Sequence, residues 1–419
     1  MSNRINCITP LCAHTILPET AELNKGLCMP CVNNRAKLER DEYIKQNRKV
    51  VNEFESLEST VDILKIMHRP RELDPLAVWT PHPTPVEQLY ESLTLDQSGQ
   101  LAQYAHDLLG TDRHEEAIEI CQHLTAFKSF PINECLRKLV SSAEYYPGFI
   151  FNYAPEDVRD SLLKEVQADT VNRNAILTAL AWIGDSKVAL QFKLWKEQEP
   201  DWANSLYVSP HAYSQEAGWE IDTNGQRRDL YFQTAFQLDK APINSTQHVE
   251  TITTRDDSCP WCSSQLINLF KIQPKLLNIA SELKVLAVPT CEICSAFGTV
   301  YGQISSDSNA KWSNSNVKPD YLPDDSDTWD RLPQETLKLG KSRSPLHVAS
   351  EFLPTTFSQI GGHPTWIQDS LYPQCPCCKK SMTFIAQVDR EDIEEYSEGI
   401  YYAFICMSCN TTATTYQQT

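Results

Sequence analysis

The chain has 419 residues, 41% of them hydrophobic, which is material for a proper core and for about two or three domains. No apolar run approaches the ~18 residues of a membrane helix, and residues 1–6 lack the apolar core of a secretory signal, so the expected location is the cytoplasm. Asp and Glu (55) outnumber Lys and Arg (37), and the formal net charge of -18 argues against a phosphate backbone as partner; it serves either the steering of a basic protein or solubility alone.

In chain order, residues 1–35 read as a small zinc finger. Cys7 and Cys12 precede Cys28-Met29-Pro30-Cys31, and Gly26-Leu27 leads into that knuckle. The Cys7 to Cys12 spacing is looser than usual, and His14 is an alternative ligand to either of them. So short a segment needs a metal staple to fold. Residues 36–80 read as a charged helical connector, broken by Pro81-His82-Pro83-Thr84-Pro85.

Residues 81–200 read as an α-helical, HEAT-like stack. Helices are expected over 86–93, 99–109, 113–127, 133–145, 155–167, 172–183 and 186–197. Leu101, Tyr104, Ala105 and Leu108 form the i, i+3, i+4, i+7 stripe of an amphipathic helix. Short helices joined by short turns suggest stacked antiparallel pairs, although no repeat period stands out. Cys121 and Cys135 fall inside these helices and read as buried thiols.

Residues 201–419 read as a β-rich domain. Thr223-Asn224-Gly225-Gln226 lies between strand-like runs at 219–222 and 227–232, and Asn-Gly there is a strong hairpin signal. A zinc-ribbon signature then occurs twice. Cys259-Pro260-Trp261-Cys262 is answered by Cys291-Glu292-Ile293-Cys294, and Cys375-Pro376-Cys377-Cys378 by Cys406-Met407-Ser408-Cys409. Each first knuckle runs into a strand-like segment (266–272, 382–388), and each second follows an apolar run (285–288, 401–405). Each second knuckle also leads, seven residues later, to a tyrosine, Tyr301 or Tyr416. Residues 303–345, rich in Ser, Asp, Asn and Pro, read as a loop between the two halves; Pro323-Asp324-Asp325-Ser326-Asp327 is typical.

In a reducing cytosol, paired C-x-x-C turns read as zinc sites rather than disulfides, since each turn presents two thiolates to one tetrahedral ion. Redox chemistry would call for a lone knuckle at a helix N-terminus. The expected fold is therefore α+β and multidomain, with three structural Zn2+ ions. Their ligands are Cys7, Cys12, Cys28 and Cys31; Cys259, Cys262, Cys291 and Cys294; and Cys375, Cys378, Cys406 and Cys409. Cys377 is either a spare thiol or an alternative ligand. Each filled four-thiolate site adds roughly two negative charges to an already acidic chain.

The segment Ile360-Gly361-Gly362-His363-Pro364-Thr365-Trp366-Ile367-Gln368, followed by Met382-Thr383-Phe384-Ile385-Ala386-Gln387-Val388-Asp389, resembles the YwqG-like family of bacterial domains. The likeness is most specific over 345–419 and extends back to about 205; it covers neither the finger nor the helices. It implies a β-rich, internally duplicated fold and supplies no catalytic residues. Some members of that family neighbour toxin genes, which implies an immunity or antitoxin role. The ribbons depart from the minimal family pattern. Read physically, the Gly pair permits positive φ or close backbone approach, Pro364 fixes the turn exit, and Trp366 and Ile367 anchor the loop while Gln368 and Gln387 bond across strands; a ligand site is the alternative reading.

Enzyme signatures are absent: there is no H-E-x-x-H, Walker loop, G-x-S-x-G or strand-linked G-x-G-x-x-G. His248-Val249-Glu250 before Cys259-Pro260-Trp261-Cys262 invites a deaminase reading. That reading fails because Ser258 precedes the knuckle and four cysteines leave no open position for water. The expected function is a non-catalytic, zinc-stabilised protein-binding role, in its sharper form an immunity protein that blocks a basic toxin domain. The acidic run Arg390-Glu391-Asp392-Ile393-Glu394-Glu395 is a solvated face or part of the surface for such a partner. The alternative is a nucleic-acid-associated scaffold, for which Arg227-Arg228 and Lys379-Lys380 are the basic pairs near the ribbons; a hydrolase with an unrecognised site comes third.

Overall fold

The computed structural model describes residues 4–240, 249–322 and 337–418. His248 and the run from Pro323 to Asp327 lie outside the described residues. Two compact units divide at Pro85 and Val86.

In the first unit, β1 (Ile5–Asn6) pairs antiparallel with β2 (Thr15–Ile16), and the short helix α1 (Pro18–Leu23) follows. The knuckle at Cys28 opens α2 (Met29–Asn47), with Cys28 as N-cap and a proline in the first turn, where its missing N–H costs nothing. This helix buries no residue, and the ion pair Arg35–Glu39 at 3.0 Å lies along its surface. The region expected to be a helical connector then departs from that reading. It holds β3 (Lys49–Val51), α3 (Thr60–His68) and β4 (Ala77–Trp79), and the two strands pair in parallel. A parallel pair needs a crossover, which α3 supplies; Val61, Ile63 and Leu64 give it a buried face, and the Ser59 hydroxyl accepts from the N–H of Asp62 to cap it. Glu53 receives both Arg69 and Arg71, and Arg71 lies 4.9 Å above the Trp79 ring.

The second unit begins with seven helices: α4 (Val86–Ser92), α5 (Leu95–Leu108), α6 (His114–Lys128), α7 (Asn133–Ser141), α8 (Glu156–Ala168), α9 (Arg173–Ile183) and α10 (Ser186–Glu197). The expected helices coincide with these, apart from their ends. Helix α5 starts four residues earlier than expected, at Leu95, because Thr94 and Gln97 form a reciprocal capping box. Asp185 caps α10 by accepting from the N–H groups of Lys187 and Val188. Cys121 and Cys135 are buried, as expected.

The hairpin β5 (Trp219–Ile221) and β6 (Arg227–Asp229) forms as expected, with Gly225 at φ 71° in its turn. There follow β7 (Ala235–Lys240), β8 (Val249–Ser258), β9 (Gln265–Ile272), β10 (Leu286–Thr290), β11 (Val300–Ile304), β12 (Ala310–Trp312), β13 (Leu337–Arg343), β14 (Gln359–Gly361), β15 (Thr383–Asp389), β16 (Ile400–Cys406) and β17 (Thr411–Gln417). Strands β10-β9-β8 make a three-stranded sheet. An antiparallel eight-stranded sheet runs β12-β11-β17-β16-β15-β14-β7-β13.

Strand β16 is buried on both faces, which explains its unbroken apolar sequence. Tyr401, Ala403 and Ile405 join the core shared with Leu269, Phe270 and Val288 of the smaller sheet. Ile400, Tyr402 and Phe404 join a second core with Leu230, Tyr372 and Phe384, so the two sets alternate with the pleat.

Two sequence expectations are corrected by this arrangement. The 303–345 segment is not simply a loop: β11 and β12 close a hairpin over the turn from Ser305 to Asn309, and β13 pairs with β7 at the far sheet edge. Residue 200, expected as a domain boundary, is a change of element type inside one compact unit. The Trp219 indole donates to the Ala181 carbonyl at 2.8 Å, and Phe127 lies 4.7 Å from His347, so helices and sheet share side-chain contacts.

Candidate metal centres

All twelve cysteines expected as ligands come together in three groups of four, and within each group the sulfur atoms lie within 4.8 Å of one another. Cys12 and Cys28 are 3.7 Å apart and Cys31 and Cys12 are 3.6 Å apart. In the second group Cys259–Cys294 is 3.7 Å and Cys262–Cys291 is 3.5 Å; in the third, Cys378–Cys406 is 3.6 Å. A tetrahedral ion with Zn–S bonds of about 2.3 Å sets its thiolates about 3.8 Å apart, whereas a disulfide would bring them to about 2.05 Å. The spacing and the donor set therefore fit a metal ion such as zinc.

The two ribbons build their first knuckles identically. The Cys259 N–H donates to the Ser264 carbonyl at 2.7 Å, and the Cys375 N–H to the Lys380 carbonyl at 2.8 Å. Ser263 and Lys379 return the chain by donating to the carbonyls of Cys259 and Cys375, both from the left-handed region at φ 64° and 61°. Sequence reasoning passed over these two residues because glycine, the usual signal for that conformation, stands at neither. Each second knuckle feeds a strand, β11 or β17, and these two strands pair antiparallel, with Tyr301 opposite Ala413.

His14 and Cys377 stand outside the clusters. His14 is exposed, with Nδ1 at 3.4 Å from Cys12 Sγ, and Cys377 is exposed, 4.0 Å from the Thr411 hydroxyl. Within the first group, the side-chain hydrogen bond with Thr9 and the N–H of Cys28 lower the Cys7 thiol to about 6, while burial pushes Cys28 up to about 12. In the second, hydrogen bonds from Cys291 and Cys294 favour the Cys259 thiolate, and both donors are held above the ordinary thiol range. Four thiolates cannot share so small a volume without a cation, and a dication removes the conflict.

The Gly-Gly segment is structural in its contacts. Gly361 and Gly362 sit at φ 66° and 67°, and an added Cβ on Gly361 would lie 1.9 Å from the Thr234 carbonyl oxygen. Gln387 is fully buried, accepting from the Thr365 N–H at 2.9 Å and donating to the Phe357 carbonyl at 2.8 Å. Gln368 is exposed and donates to the Gln418 carbonyl at 2.7 Å. His363 is buried between Trp182 and Tyr231, at 4.6 and 5.2 Å.

Fold and sites together define an α+β protein carrying three four-cysteine clusters. The chain is 42% identical over 428 residues to the "Uncharacterized protein YpfL" of Salmonella typhimurium (strain LT2), an alignment that covers 100% of each chain. It belongs to the same family as that protein. No family model matches the chain, and no solved structure matches it. Among the described residues, no helix is long and apolar enough to cross a membrane.

Proposed function

We propose that the three clusters hold zinc as structural staples and that the protein is a non-catalytic, cytoplasmic binding protein for a basic protein partner. The observation that carries this reading is the closure of the clusters: four thiols surround each centre, so no position is left for an activated water. The net charge of -18 supports a basic partner by electrostatic steering. Fully exposed apolar side chains such as Tyr207, and Tyr396 at 89%, supply the contact surface such an interaction uses. The helices α4–α10 read as a HEAT-like stack, a reading supported by the packing of α5 on α6 and α7, of α7 on α8 and of α8 on α9. The immunity role is the sharper form of the proposal and rests on the resemblance to YwqG-like domains alone.

No observation favours nucleic acid. Arg227 pairs with Asp229 at 3.0 Å and Arg228 with Glu220, so this basic pair is engaged within the fold. The experiment is affinity purification of the tagged protein from its native host at low and high salt, with mass spectrometry of what stays bound. A stoichiometric basic protein that dissociates as salt rises is the expected result. A chain recovered without a protein partner at either salt removes the proposal.

A further inference from the structure

A cavity of about 180 Å³ opens where the segment between α7 and α8 meets the strand-rich part of the second unit, and its lining has a distinct chemistry. Trp182 and Trp366 form aromatic walls, and Tyr146 and Phe352, 70% and 69% exposed, stand at the rim. Large aromatic side chains left in water at the mouth of a cavity are costly unless something covers them. Two carboxylates, Glu216 and Glu351, complete the lining, and among the described residues no Lys or Arg joins it.

Glu216 is fixed by the Ser370 N–H, which donates to Oε1 at 3.2 Å, while its backbone carbonyl receives His363 Nε2 at 2.9 Å. Neither carboxylate has an ion-pair partner among the described residues, although burial raises both above the ordinary glutamate range. The imidazole of His363 does not supply the missing charge, since burial lowers it to about 4. A half-enclosed carboxylate without a counter-charge, facing aromatic rings, is complementary to a weakly hydrated cation that presents both charge and flat or alkyl surface.

We propose that this cavity is a recognition pocket for an organic monocation, an alkylammonium or alkylguanidinium group, with Glu216 and Glu351 neutralising the charge and Tyr146, Trp182, Trp366 and Phe352 enclosing it. The volume suits a head group and a few methylenes rather than a drug-sized ligand. The same chemistry is available from a free small amine or from a lysine or arginine side chain, and the pocket is independent of the protein-binding reading because small cations alone test it.

The test is a titration of the full chain with n-butylguanidinium and n-butylammonium, followed by protein NMR shifts, with n-butylurea as the uncharged isostere. Millimolar binding of the cations, at least tenfold tighter than butylurea, is expected. Glu216→Gln keeps an acceptor for the Ser370 N–H and is expected to lose most of that preference, and Phe352→Ala at the exposed rim to weaken binding several-fold. Blocked arginine and lysine methylamides distinguish the sources: binding as tight as the free cations admits a polypeptide side chain, and their exclusion assigns the pocket to a free amine. Equal binding of butylguanidinium and butylurea, no binding of either, or unchanged selectivity in the folded Glu216→Gln variant overturns the proposal.

Discussion

Cys377 and Cys378 are adjacent in the chain, yet only Cys378 enters a four-sulfur cluster; Cys377 points to an exposed position. Structural zinc contributes roughly 10–16 kcal/mol of apparent binding free energy per site, coupled to folding. Cys378→Ser is therefore expected to give insoluble or protease-sensitive protein lacking one metal equivalent. Cys377→Ser should melt within about 0.5 kcal/mol of the native protein, as surface substitutions do. Equal melting of both variants would show that the cluster is not a staple. A second residue makes a prediction about pH. Burial, and then the neighbouring Asp392, raises the Asp389 carboxyl to about 7. The folded state thus keeps a proton that the unfolded chain, near its ordinary value of about 3.9, has already lost, so stability falls as pH rises through this window. Asp389→Asn removes that penalty. It is expected to be more stable than the native protein at pH 8, by roughly 2–4 kcal/mol, with the advantage narrowing by about 1 kcal/mol at pH 6. Urea midpoints at the two pH values measure it.

Among the elements, the helices were legible because their apolar stripes repeat at helical spacing, and the knuckles because two thiols three apart carry their own geometry. What sequence reading lost was polar strand. Leu337 and Leu339 alternate with Lys338 in β13, a lysine-bearing edge strand, but serine and aspartate nearby gave the whole stretch a loop-like composition. β3 and β4 were hidden because three-residue strands are too short for a period to show. The lining of the aromatic cavity was out of reach for a different reason: Tyr146, Trp182, Glu216 and Phe352 are scattered along the chain, and only the fold assembles them. Capping also decides where an element starts. Thr94→Ala deletes one half of the box that begins α5 and should lower stability by about 1 kcal/mol, read from thermal or urea unfolding.

At the scale of the whole molecule, one four-cysteine cluster lies in the unit Met1–Pro85 and two in Val86–Thr419. The full chain is expected to carry three zinc ions by elemental analysis, and a fragment spanning 86–419 to carry two while still unfolding cooperatively. A fragment that folds without metal, or a full chain holding fewer than two, would contradict the staple role. The second unit has an order of assembly built into its sheet. β17 lies between β11 and β16 and follows both in the chain, so among the described strands the β11–β12 hairpin pairs with the rest of the large sheet only through it. During translation the first ribbon emerges long before that bridging strand and has to wait with one side of β11 unpaired. A stalled ribosome, or a protease that trims 411–417, would leave two half-sheets exposing the kind of open edge that aggregates. Whether the two half-sheets become one is thus decided by the seven residues of β17.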